Sequence, residues 1–253
     1  PDPVYSVGEH DNFYIIYTSG STGDPKGVEI TQLCLVSFLQ WISEEFTDPR
    51  ASVWMLQSPY SFDLSIMPLY GSLINGKTVV AIDKSLYFKP KRLVATLQKH
   101  AVNVWVSTPS FTNLHLDNPG FSSASLPELI KFYYCGESLP NNTAKNVRER
   151  FPASVQINTY GPTEATVAVT SVLLDNDMID STTPIPLGYA RGNCKVFVFN
   201  DEGKEVSEGE YGEIVISGPC VSKGYLNNPE LTAERFFVLN GQRAYRTGDQ
   251  GYY

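Results

Sequence analysis

The chain is poor in histidine, in positive charge and in unbroken apolar sequence. Only His10, His100 and His115 occur in 253 residues, at no mutual spacing that suits a metal site, and each reads as structural rather than catalytic. No G-x-S-x-G nucleophile elbow is present. Cys34, Cys135, Cys194 and Cys220 form no CxxC pair. A chain of this length buries a core without staples, so free thiols in a reducing compartment are expected and zinc is unsupported. Basic residues number 19 against 27 acidic, a net charge of −8, which argues against nucleic acid or an anionic membrane as partner. The longest uncharged stretches, 30–43 and 101–116, fall short of the roughly 18 apolar residues a span needs, so no membrane insertion is expected. Pro1 stands where a Met would, with no basic and apolar leader after it, which reads as a piece of a longer chain.

What is there is an ordinary globular composition, 42% hydrophobic and 18% charged, enough for one large domain or two small ones. Short β-branched or aromatic runs at 14–17, 52–56, 78–82, 102–106, 129–134 and 155–158 alternate with amphipathic segments. That rhythm predicts βαβ units and a mostly parallel sheet with flanking helices. The clearest helix covers 90–100, with Pro90 in its first turn and Leu93, Val94 and Leu97 on one stripe; another covers 142–150. After about residue 183 the helical period gives way to short strands broken by Gly, Asn, Asp and Pro, among them Gly212–Ser217. The expected class is therefore α/β, an α/β subdomain over 1–183 followed by a β-rich subdomain over 184–253.

Residues 71–78 match the Walker A pattern G-x-x-x-x-G-K-[ST] literally. A phosphate loop of that kind leaves a strand and opens a helix; here a helix-like segment precedes it and strand 78–82 follows. The order is reversed, so a helix end at Gly76 is the preferred reading. A better anion loop runs from Tyr17 to Gly27, following a strand directly and collecting glycines, hydroxyls and Lys26. Glycine backbone lets successive N–H groups converge on a phosphate, hydroxyls add donors, and Lys26 adds charge. A Ser/Gly-rich turn would have little use for Pro-Lys-Gly at its end.

Thr18 to Gly27, Tyr160-Gly161-Pro162-Thr163-Glu164, Gly212 to Gly218 with Lys223-Gly224-Tyr225-Leu226, and Tyr245-Arg246-Thr247-Gly248-Asp249 together resemble the adenylate-forming superfamily. Within it, Phe62-Asp63-Leu64-Ser65, residues 103–110 and Tyr134-Cys135-Gly136-Glu137 make the chain similar to the ligases that join D-alanine to a D-alanyl carrier protein. The resemblance implies a cytoplasmic enzyme using ATP and Mg²⁺ to form D-alanyl-adenylate, then passing the D-alanyl group to the phosphopantetheine thiol of its carrier for teichoic acid D-alanylation. It also implies that family members extend upstream of Pro1 and continue past Asp249 into a lid with a catalytic lysine, so weak or no turnover is expected of this chain alone.

The resemblance further assigns roles. Lys26 and Glu164 are catalytic, Glu164 as the Mg²⁺ ligand, where a solvated turn glutamate is the bland alternative. Thr18, Ser19, Gly20, Ser21, Thr22, Gly23 and Thr163 surround the phosphates, Asn158, Thr159 and Tyr160 the adenine, and Asp249 the ribose hydroxyls. Asp63 binds the substrate ammonium, although a carboxylate there could equally cap a helix. Leu64, Cys135 and Gly136 line a small side-chain pocket, although a buried free cysteine is more often core packing. Lys223 departs from the arginine common at its position, and the two are not equivalent in a bidentate contact. Two other readings remain: activation of another small amino or acyl acid, and a nucleotide-binding module without turnover.

Overall fold

The structure, a computed structural model, describes residues 6–19, 24–45 and 48–253. In chain order its elements are β1 (Asn12–Ser19), β2 (Pro25–Thr31), α1 (Gln32–Glu45), β3 (Val53–Leu56), α2 (Ile66–Ile74), β4 (Thr78–Ala81), α3 (Pro90–Lys99), β5 (Val104–Ser107), α4 (Pro109–Leu116), β6 (Lys131–Tyr134), α5 (Asn141–Arg150), β7 (Val155–Tyr160), β8 (Thr170–Leu173), α6 (Asn176–Asp180), β9 (Tyr189–Ala190), β10 (Lys195–Phe199), β11 (Gly212–Ser217), β12 (Gly224–Tyr225), α7 (Pro229–Arg235), β13 (Phe236–Leu239) and β14 (Gln242–Gly251). They form two compact units. One gathers 1–41, 161–169 and 190–253; the other holds 42–160 and 170–189. The division therefore does not fall at residue 183, because β12, far along the chain, hydrogen-bonds to β2 near its start.

The unit built mainly from the middle of the chain carries the α/β part. Strands β4, β3, β5, β6 and β7 lie side by side and parallel, and β8 closes against β7 antiparallel. Its core joins Leu93, Val94 and Leu97 of α3 to Trp105, Phe132 and Val147, so the stripe legible in 90–100 is the buried one. Two buried polar groups at its centre are paired. The Trp105 indole N–H lies 2.7 Å from Ser107 Oγ and 2.9 Å from Thr112 Oγ1, and Asn103 Oδ1 accepts from the N–H groups of Ser52 and Val53 as β3 begins. His115 is 1% exposed among Trp105, Phe111 and Phe121, and burial holds its pKa down at about 4, a neutral core imidazole.

The Walker-like run closes a helix. The Gly76 N–H donates to Leu73 O and the Lys77 N–H to Ser72 O, the paired bonds of a Schellman end, with Asn75 as cap and Gly76 beyond it at φ +62°. Strand β4 follows, so no helix N-terminus is available for phosphate.

The other unit is antiparallel throughout. Sheet β10-β11-β14-β13 packs Phe199, Val215 and Ala244 together, and a three-stranded sheet has the order β1-β2-β12. This corrects one expectation. The strand at 14–17 is not part of the parallel sheet; it lies in β1, paired antiparallel with β2 from Asn12↔Thr31 to Ser19↔Pro25. The polar run after it joins two strands of a hairpin, and Pro25 sits at the first position of β2, where a strand tolerates it.

Candidate functional site

In the antiparallel unit, Lys26 and Glu164 are brought to one place by backbone pairing. Tyr225 on β12 lies opposite Val28 on β2, so Lys26, two residues earlier on the same face, is its diagonal neighbour. Accordingly the Lys26 ammonium lies 4.7 Å from the Tyr225 ring centre and 3.5 Å from its hydroxyl. Glu164 arrives on a single 3-10 turn, Thr163–Ala165, whose carbonyl at Glu164 accepts from the Ser222 N–H at 2.8 Å. The Tyr225 hydroxyl donates to Glu164 Oε1 at 2.8 Å, Tyr245 Oη lies 3.3 Å from Tyr225 Oη, and Lys26 Nζ stands 3.9 Å from Glu164 Oε1. Burial, and then the Glu164 charge, push both phenols well above the usual tyrosine range, so both remain neutral donors.

Several residues set this geometry without touching it. A Cβ on Gly161 would come 2.6 Å from Ala168 Cα, and one on Gly224 would come 2.5 Å from Thr232 Cγ2, so glycine is required at both approaches. Thr166 and Val167 adopt φ +61° and +68°, left-handed backbone unusual for β-branched residues. The Thr166 hydroxyl offsets this by donating to Cys220 O at 2.7 Å. Thr18 Oγ1, on β1, is buried without a partner among the described residues, an available donor at the mouth of the loop. Ser19 ends β1 exposed, while Gly20, Ser21, Thr22 and Gly23 lie outside the described residues. Asp249 is exposed on β14, its N–H donating to Thr247 Oγ1 at 3.0 Å.

The α/β unit holds a second group. Asp63 opens a 3-10 turn, Asp63–Ser65, that runs directly into α2, and the residue is 9% exposed. The residue in the capping position is Phe62, and no side chain caps there. Cys135 follows β6, 3% exposed, and Gly136 turns the chain at φ +90°, a left-handed conformation that favours glycine. Burial pushes the Cys135 thiol up to about 12, the Thr159 hydrogen bond opposes this, and the negative charge of Asp63 adds to it. Cys135, Thr159 and Asp63 are thus neighbours, with Leu64 beside Asp63 and 1% exposed. The Thr159 hydroxyl is fixed by donating to Tyr134 O at 2.7 Å, and the Asn158 amide N–H donates to Pro186 O at 2.9 Å. Cys135 and Asn158 to Tyr160 stand at the carboxyl ends of parallel strands, where open α/β sheets place ligands. Tyr160 is half-buried and ends β7.

Sequence reasoning assigned no role to Tyr225 and Tyr245, although both sit in the blocks that carry the resemblance. The available signal was a phenol within each block, an apolar ring with a polar tip. Cavities of about 300 and 530 Å³ occur away from these groups, one lined by Lys131 and Tyr133, the other by Cys34 and Arg243.

Comparison with known proteins fixes the class. The family described as AMP-binding enzyme matches residues 1–226, so the chain belongs to that family, and its fold is the adenylate-forming one. It is 50% identical over 252 residues to a D-alanine--D-alanyl carrier protein ligase of Bacillus cytotoxicus and 49% identical to one of Bacillus anthracis. Both alignments cover 100% of this chain, which spans 50% of the length of each relative. Among solved structures, the Vibrio cholerae adenylation domain AlmE in complex with glycyl-adenosine-5'-phosphate superposes at TM-score 0.86, with 31% identity over 98% of this chain and 47% of that one. The AMPPNP-bound form of the nonribosomal peptide synthetase FmoA3 (S1046A) superposes at 0.88, with 27% identity over 97% and 26%. No helix among the described residues is long and apolar enough to cross a membrane.

Proposed function

We propose that the chain is the nucleotide- and amino-acid-holding part of a cytoplasmic ligase that activates D-alanine with ATP and passes it to a D-alanyl carrier protein. The observation that carries this reading is the Lys26–Glu164–Tyr225 group, an ammonium and a carboxylate kept 3.9 Å apart against one phenol. A triphosphate with its cation requires both charges at one point, and a side chain that stops them collapsing onto each other leaves both usable. The half-identity to ligases of that name supports the substrate and the carrier as partner.

The residues fit Mg²⁺ rather than an all-protein metal cage. No group of three His, Cys, Asp or Glu gathers among the described residues, whereas Mg²⁺ takes one or two carboxylates and fills its shell with water and phosphate. Glu164 would hold it, and bound there it would supply charge neutralisation as pyrophosphate departs. Lys26 and the Thr18 hydroxyl serve the phosphates, Thr163 closes the same turn, and Asn158, Thr159 and Tyr160 border the base. Asp249 accepts from the ribose hydroxyls. Asp63 holds the ammonium of D-alanine, with Leu64, Cys135 and Gly136 bounding its methyl group.

An amino-acid carboxylate is ionised at neutral pH and requires no general base. One of its oxygens bonds to the α-phosphorus, the bond to the β-phosphate bridge breaks, and pyrophosphate leaves with that electron pair. The phosphopantetheine sulfur of the carrier then bonds to the alanyl carbonyl carbon and AMP leaves, giving the thioester used for teichoic acid D-alanylation. The test is calorimetric titration with non-hydrolysable D-alanyl, L-alanyl and octanoyl adenylate analogues. The D-alanyl form is expected to bind tightest and the octanoyl form not at all. Octanoyl binding as tight as D-alanyl would move the substrate to acyl acids, and no binding by a folded sample would overturn the reading.

A further inference from the structure

The antiparallel unit holds Arg191, Arg235, Arg243 and Arg246, and all but Arg235 are engaged or buried. Arg246 Nη1 lies 2.9 Å from Glu213 Oε2, with its guanidinium carbon 5.2 Å from the Phe237 ring centre. Arg243 donates from Nε to Ser222 O at 2.7 Å and from Nη2 to Lys223 O at 2.6 Å. Arg191 is buried beside the Phe38 and Trp41 rings. Arg235 ends α7 with its side chain 31% exposed, and its guanidinium makes no hydrogen bond among the described residues. The carboxylate within ion-pair distance is that of Glu234, the residue before it, 3.2 Å from Nε and exposed, a surface pair of little strength. Five N–H donors in a planar fork are therefore available.

Backbone pairing decides what that fork faces. Phe236 on β13 lies opposite Tyr245 on β14, so the residue before Phe236 falls alongside the stretch of β14 that leads to Gly248. A Cβ on Gly248 would stand 3.6 Å from Arg235 Nη1, and Gly248, at φ +79°, turns the chain into Asp249. The Phe236 ring in turn packs 5.4 Å from that of Tyr225 and 4.8 Å from that of Tyr245. The Arg235 charge also reaches the Tyr225 phenol, where it opposes the upward push of burial and of Glu164. The guanidinium thus stands beside the residue that precedes Asp249, and near the phenol that links Glu164 and Lys26.

With the ribose at Asp249 and the terminal phosphates at Lys26 and Glu164, the group that must lie between them is the α-phosphate. We propose, on the nucleotide reading above, that Arg235 binds the α-phosphate, its free fork holding the oxygens of the phosphorus that the D-alanine carboxylate attacks. A guanidinium matches two phosphate oxygens at once, which an ammonium does not. Negative charge gathers on those oxygens as the carboxylate oxygen bonds and pyrophosphate leaves, so a fixed cation there favours the transition state over bound ATP. A cation in the last turn of a helix also suits the helix itself. That role needs charge alone and leaves the preference among nucleotides untouched.

Calorimetric titration with AMP and with adenosine separates the two roles, because these ligands differ only in the α-phosphate. Arg235→Met should raise the Kd for AMP about tenfold and that for adenosine less than about twofold. Arg235→Lys, which keeps the charge and loses the fork, should fall between wild type and Arg235→Met for AMP. AMPPNP should weaken by no more than AMP does, and denaturant unfolding of both variants should match the wild type. Equal losses for AMP and adenosine would overturn the assignment and place Arg235 at the ribose or in the fold. A loss confined to AMPPNP would move it to the terminal phosphates, and full AMP affinity in Arg235→Met would remove it from the site while the nucleotide reading stands. A folded wild-type chain that binds neither AMP nor adenosine would overturn that reading, and the role of Arg235 with it.

Discussion

Glu164 and Asp63, one carboxylate in each compact unit, are held in opposite ways. Glu164 hangs from side chains: a phenol donates to it, a second phenol backs the first, and an ammonium waits 3.9 Å away. Asp63 hangs from backbone: it begins a 3-10 turn at the head of α2 and meets a turn whose glycine has φ +90°. The difference teaches where each half can be altered. A side-chain network loses affinity one hydrogen bond at a time and keeps its fold, whereas a backbone-built pocket loses little until the charge itself or the turn is removed.

The largest effect should come from the one place where the Glu164 network does depend on backbone. Gly161→Ala forces a Cβ to 2.6 Å from Ala168 Cα, with no flexible side chain to give way. A loss of about 3 kcal/mol in denaturant unfolding is expected, and a loss under about 0.5 kcal/mol would mean that the turn is soft. Next comes acid. His115 keeps a folded pKa of about 4 against 6.5 for an ordinary histidine, because burial disfavours its charge. A depressed folded pKa gives stability that is complete above 6.5 and is lost as pH falls through 6.5 toward 4, by about 2–3 kcal/mol. Amide exchange around α4 and β5 should accelerate over that range in the wild-type chain and not in His115→Phe, while β10–β14, without a core histidine, should change less.

Much of this was legible in the sequence, for physical reasons. The stripe Leu93, Val94, Leu97 and the reversed order of the Walker-like run depend on local periodicity and capping, which a linear reading captures. The partner of β1 was not legible, because nothing near 14–17 says whether the chain crosses a sheet or doubles back, and β12 lies about two hundred residues away. Lys26 and Glu164 were visible as members of motifs. Tyr225 was not visible as their keeper, since its role exists only once β2 and β12 pair and set the phenol diagonal to Lys26.

Removing charge from the backbone-built half should act on binding alone. Asp63→Asn keeps the shape of the turn and removes the anion proposed to hold the substrate ammonium, so affinity for a D-alanyl adenylate analogue should fall by about 2 kcal/mol, roughly 30-fold. Unfolding should stay within about 1 kcal/mol. Unchanged analogue affinity would sink the assigned role of Asp63, and a collapse of stability would show that the carboxylate holds the helix rather than a ligand.

The smallest expected effect tests the side-chain half most directly. Tyr225→Phe deletes the hydroxyl that donates to Glu164 Oε1 at 2.8 Å but keeps the ring against Phe236 and under Lys26. Without that donor the ammonium and the carboxylate can close from 3.9 Å into a direct pair, which Mg²⁺ and phosphate must then break. The apparent Kd for a Mg²⁺–nucleotide analogue should rise about fivefold, an effect of about 1 kcal/mol. Binding of the same analogue without Mg²⁺ should change less, because the lost hydrogen bond positions the carboxylate that meets the cation. Equal weakening with and without the metal would mean that Tyr225 serves Lys26 through its ring, and the Glu164 and Asp63 groups would then differ less than their hydrogen bonds suggest.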